Sequence, residues 1–93
     1  MKCKIYQADI TAKNKFMNYE FTKRVCGGIN KEDYSMVFDG CVREGDLEDV
    51  WVIFNSVARP EGFTGHSLSV SDIVVTEDGA FYVDDFGFAK IDF

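Results

Sequence analysis

The chain has 93 residues, 46% of them hydrophobic, with nine Phe, four Tyr and one Trp, which is enough for one small domain (residues 1–93) around an aromatic-rich core. Ten Lys and Arg against sixteen Asp and Glu leave a formal charge of -6, which repels phosphate backbones and supplies no basic stripe, so direct nucleic-acid binding is not expected. Cys3, Cys26 and Cys41 are an odd, widely spaced set without a CxxC pair. They suit neither a disulfide framework nor a zinc site and read as reduced, half-buried thiols. No apolar run has the length of a signal peptide or a membrane span, so a cytoplasmic location without membrane contact is expected.

In chain order, residues 3–9 read as a strand around Ile5 and Tyr6. Asn14 offers a helix cap, and from residue 15 to residue 26 the series Met17, Phe21, Val25 predicts an amphipathic helix that stops at Gly27 and Gly28. Residues 33–42 are apolar on both alternating sets and predict a central strand. Asp46 then caps a second helix, with Glu48 and Asp49 in its first turn and Leu47, Val50, Trp51, Phe54 and Val57 at helical spacing. That helix must end before Pro60.

Residues 61–71 have turn composition. Two strands, 72–76 and 80–84, flank Glu77-Asp78-Gly79, a strong hairpin signal. Gly87 between Phe86 and Phe88 predicts a bulge or a close backbone approach, and Ile91 and Phe93 leave room for a further C-terminal strand. The expected fold class is α+β: two helices on one face of a small, mostly antiparallel sheet, in the order β-α-β-α-β-β.

The residues with chemistry to offer gather between residues 65 and 88. His66, the only histidine, precedes Ser67, Ser69, Ser71 and Asp72. A hydrolase-like arrangement would use His66 as general base, Asp72 or Asp84 to orient it, and Ser67 or Cys41 as nucleophile. The stronger reading is that this loop orders its own backbone, as serines and aspartates in turns do. Asp84 and Asp85 do not have the spacing of a calcium loop, and neighbouring strand residues face opposite ways, so no metal or other cofactor is expected. Asp85-Phe86-Gly87 spells the kinase DFG, but the glycine-rich loop, the VAIK-type lysine and the HRD motif are missing. The phenylalanines at 38, 54, 63, 81, 86 and 88 read with Trp51 as core, and an unburied Phe63 or Phe93 would mark a partner-binding patch.

The run Phe54-Asn55, Pro60, His66-Ser67-Leu68-Ser69-Val70-Ser71-Asp72-Ile73-Val74, Gly79, Tyr82-Val83-Asp84 and Phe86-Gly87-Phe88 resembles the YodL-like domain, as do Ile5-Tyr6-Gln7 and residues 34–40. Phe81 and Asp85 stand where that pattern more often has Tyr and Ser. The resemblance implies a domain of Gram-positive bacteria, often part of large polyvalent proteins of conjugative elements and phages, with an accessory or interaction role and no catalytic residues to carry over. The expectation is therefore a non-enzymatic module with a protein partner, its motif surface drawn from His66, Ser67, Ser69, Ser71, Asp72, Asp84, Asp85, Phe86, Gly87 and Phe88. The alternatives are the hydrolase above and an acidic mimic of DNA.

Overall fold

The computed structural model describes residues 1–43 and 45–93. Strands β1 (Lys2–Ala8), β2 (Tyr34–Cys41), β3 (Ile73–Thr76), β4 (Gly79–Val83) and β5 (Phe88–Ile91) form one sheet in the order β2-β1-β3-β4-β5, with every neighbouring pair antiparallel. Helices α1 (Tyr19–Val25) and α2 (Leu47–Asn55) complete an α+β fold in the expected order, with the fifth strand present. Among the described residues no helix is long and apolar enough to cross a membrane.

The strand expected to be central is an edge. β1 has neighbours on both sides, whereas β2 pairs only with β1. The two-faced apolar pattern of β2 has another cause: Ile5 pairs with Phe38 and Tyr6 with Met36, leaving Val37 as an extra residue. This bulge inverts the alternation halfway along the strand, so apolar residues fall on both sets without both faces being covered. Met36 is half exposed accordingly.

The helices lie against opposite faces of the sheet, which corrects the expectation of one shared face. Cys3, Ile5, Phe38, Val74 and Val83 pack with Val50 and Phe54 of α2 and with Leu68. Ala8, Tyr34, Ile73, Ala80, Tyr82 and Ile91 form a second cluster, against which Tyr19 of α1 packs. Neighbours such as Ile73 and Val74, or Tyr82 and Val83, go to different clusters because successive strand side chains point to opposite faces. Consecutive apolar residues in β3 and β4 are therefore the imprint of a sheet covered on both sides.

Helix α1 is shorter than residues 15–26, and its cap is Asn18 rather than Asn14: Asn18 Oδ1 accepts the Phe21 N–H at 2.8 Å. Phe16 has a φ of 64°, outside the right-handed helical region, and its N–H donates to Ser71 Oγ at 2.8 Å. Asn14 is buried and donates to the Tyr34 hydroxyl. The Met17, Phe21, Val25 stripe is not the buried face either, since Met17 and Val25 are exposed and the buried residue is Thr22, its hydroxyl 2.8 Å from that of Tyr82. The glycine stop holds: Gly27 has a φ of 73°, and the Gly28 N–H returns to the Thr22 carbonyl.

Helix α2 opens with a capping box in which Asp46 and Asp49 exchange side-chain and backbone hydrogen bonds. It ends at Asn55, so Val57 lies beyond it and is fully exposed. Phe54 anchors it, edge-on to Phe38 at 4.9 Å and to Phe63 at 5.0 Å. Phe63 thus belongs to the core, and Phe93 likewise packs on Tyr6 and Tyr34 instead of marking a partner patch.

The β3–β4 hairpin turns at Glu77-Asp78, with Gly79 at a φ of 127° opposite Thr76. At the next turn the Asp84 N–H donates to the Gly87 carbonyl, and Gly87 has a φ of 78°. Nothing lies within 4 Å of where a Gly87 Cβ would be, so the glycine serves the turn and not a bulge or a close approach. The three thiols are free and differ in setting: Cys3 is buried, Cys26 half-buried and Cys41 exposed.

Candidate functional site

Gln7, near the end of β1, is buried and shares the α2 face of the sheet with Cys3 and Ile5. Its amide clamps the loop at residues 65–72. Oε1 accepts the His66 N–H at 3.2 Å, while Nε2 donates to the His66 carbonyl at 2.8 Å and to Asp72 Oδ2 at 3.0 Å. The neighbouring Gly65 makes room for it, since a Cβ there would sit 2.1 Å from Gln7 Oε1.

His66 Nδ1 lies 2.7 Å from the Ser67 carbonyl, which can only accept, so this nitrogen carries the proton. Both Gln7 N–H groups are already used, and its 3.3 Å approach to Nδ1 is a contact between two donors. The lone pair of His66 Nε2 faces the Lys15 ammonium at 3.4 Å, and Lys15 also donates to the Ala8 carbonyl. The Phe16 ring leans on the imidazole, with centroids 5.5 Å apart.

The serines are spent in the same way. Ser67 Oγ accepts from Arg59, and Ser69 Oγ donates to the Ser67 carbonyl. Ser71 has a φ of 86°; its Oγ accepts from Phe16 N–H and its carbonyl from the Tyr34 hydroxyl at 2.7 Å. Asp72 is buried, with Oδ2 accepting from Ser69 N–H at 2.8 Å and from Gln7, while Oδ1 has no partner. Burial pushes its carboxyl up to about 7, against the opposing pull of the Ser69 N–H, the Gln7 amide and the Lys15 charge.

The aspartates at 84 and 85 serve the other face. Asp84 Oδ1 accepts the N–H of Tyr19, the first residue of α1, at 3.1 Å, and also the Asp85 N–H. Asp85 Oδ2 accepts from the Asn18 amide at 2.8 Å. Both carboxylates thus sit at the positive end of α1 and fasten the β4–β5 turn to it. Phe86, at the tip of this turn, is 96% exposed, and Phe88 packs back on the α2 cluster.

Between that turn and the outer side of α2 lies an open groove of about 450 Å³, lined by Trp51, Val52, Val70 and Phe86 with Glu48, Asp84 and Asp85. A family model, that of the YodL-like domain, matches residues 2–93. The chain belongs to the YodL-like domain family. No curated protein and no solved structure matches it.

In this YodL-like domain the hydrolase arrangement is not assembled. Neither ring nitrogen of His66 bonds a Ser or Cys side chain, or the carboxylate of Asp72 or Asp84; their partners are the Ser67 carbonyl and Lys15. Cys41 pairs with Lys2, five residues along β1 from Gln7 and thus about 17 Å from the His66 clamp at 3.3–3.4 Å per residue. Among the described residues no three His, Cys, Asp or Glu side chains converge as a metal site would require. The sequence reading missed Gln7, Lys15, Asn14, Tyr34 and Thr22 as polar partners. For Gln7 a signal existed: it is an uncharged polar residue on the apolar side of an inner strand. Trp51, read as core, instead stands 40% exposed on the groove.

Proposed function

We propose that this YodL-like domain is a non-enzymatic protein-interaction domain, working in the cytoplasm as an accessory part of a mobile-element or phage type protein. Within the motif residues the roles divide: His66, Ser67, Ser69, Ser71 and Asp72 hold the fold, and the turn at residues 84–88, fastened by Asp84, Asp85 and Phe88, presents Phe86 to the partner. The observation that carries this reading is Phe86. A wholly exposed aromatic adds nothing to folding, yet it is held on a tight turn beside the half-exposed Trp51 and Val52, giving a contiguous apolar patch rather than a scattered residue. Aromatic residues in such a position are what anchor protein interfaces.

The test is photo-cross-linking in host cells with benzoylphenylalanine placed at position 86 and, for comparison, at the exposed Val25 of α1. Discrete adducts from position 86, absent from position 25 and suppressed by Trp51→Ala, are the expected result. Equal labelling from both positions would overturn the proposal.

A further inference from the structure

The groove between α2 and the β4–β5 turn has a charge pattern that narrows its occupant, and we infer that it takes a short basic segment of a partner protein carrying a bulky apolar anchor. This rests on the interaction reading above and adds the chemistry of the partner. The apolar part of the lining comes from Trp51, Val52, Val70 and Phe86. Its volume of about 450 Å³ falls within the roughly 300–1,000 Å³ of sites that enclose a compact group, which suits one or two large side chains. Every charged residue on its lining, Glu48, Asp84 and Asp85, is acidic.

Among the described residues none of those three acids forms an ion pair with a cationic side chain. The ion pairs recorded among the described residues both use Glu20, on α1. Asp84 and Asp85 accept hydrogen bonds from backbone N–H groups and from the neutral Asn18 amide, which orients the carboxylates without cancelling their charge. In a chain of formal charge -6 the rim therefore favours lysine or arginine and rejects acidic segments. A second copy of the chain is a poor occupant, because a two-fold contact through this groove would set the same acids against themselves.

The only tryptophan of the chain lies in the groove, so its fluorescence reports occupancy directly. Three peptides without Trp or Tyr serve as probes: a Leu-Phe core flanked by lysines, the same core flanked by glutamates, and a lysine peptide with alanines for the core. Saturable change in Trp51 emission is expected with the first, at least about tenfold tighter than with either other peptide and weakened by added salt. Phe86→Ala and the pair Glu48→Gln with Asp85→Asn are each expected to abolish the difference while leaving the unfolding midpoint near that of the parent, since an amide oxygen at position 85 can still accept the Asn18 hydrogen bond that fastens the turn to α1. Asp84 is left intact because it holds α1.

Equal response to the glutamate-flanked peptide, no response to any, or unchanged binding by Phe86→Ala overturns the inference. So does a dimer in sedimentation that Phe86→Ala converts to monomer, which would make a second copy the occupant. If position 86 still cross-links in cells while the lysine-flanked peptide fails, the partner chemistry is wrong and the interaction reading survives. If both fail, both fall.

Discussion

Replacing Asp72 by Asn is expected to remove a pH dependence of stability worth roughly 4 kcal/mol. Burial raises the carboxyl from its ordinary 3.8 to about 7 in the folded chain, since Oδ1 is enclosed without a partner. Between these values the unfolded chain has released the proton and the folded chain retains it, so stability falls by about 1.4 kcal/mol for each pH unit. The contribution of Asp72 is thus fully present below pH 4, declines as pH rises through about 7, and levels off above that. Asn mimics the protonated acid and cannot ionise. In urea unfolding at pH 5 and pH 8 the parent should lose about 3 kcal/mol more than Asp72→Asn between the two conditions. Equal losses would mean that Asp72 is ionised in the fold at both pH values.

The second large effect falls on Gly65. Alanine there would place Cβ 2.1 Å from Gln7 Oε1 and 3.0 Å from Val37 Cβ, and the Gln7 side chain cannot yield without giving up its bonds to both backbone groups of His66 and to Asp72. Leaving such buried groups unpaired costs about 1–3 kcal/mol each, so Gly65→Ala is expected to lose roughly 3–5 kcal/mol in equilibrium unfolding. Gln7→Ala loses the same bonds and removes the clash with Oε1, leaving only the milder approach to Val37. The double variant should therefore be about as stable as Gln7→Ala alone, a coupling of several kcal/mol where independent sites would simply add. Additive losses would show that Gly65 and Gln7 do not meet.

These two sites show where a sequence stops being legible. The strands, the hairpin at Glu77-Asp78 and the capping box of α2 are written in local signals, since the residues that form each lie within a few positions of one another. The clamp of Gln7 on His66 joins residues 59 apart, and the start of α1 is decided by Phe16 in a left-handed conformation tied to Ser71, 55 residues away. No periodicity carries such information, and it is for this reason that Asn14 stood out as a cap in place of Asn18. The opposite placement of the helices was latent in the paired apolar residues of β3 and β4, and the β2 bulge disguised an edge strand as a central one. For the motif residues, the sequence already favoured a loop that orders its own backbone; the partners that do the ordering were visible only in three dimensions.

The division between residues that hold the fold and residues left for a partner is open to one direct comparison, the urea unfolding of His66→Ala against Phe86→Ser. His66 donates to the Ser67 carbonyl, faces Lys15 and packs on Phe16, so its loss is expected to cost about 1–2 kcal/mol. Phe86, 96% exposed, is expected to be neutral within about 0.5 kcal/mol. A Phe86→Ser variant destabilised as much as His66→Ala, or a His66→Ala variant as stable as the parent, would contradict that division.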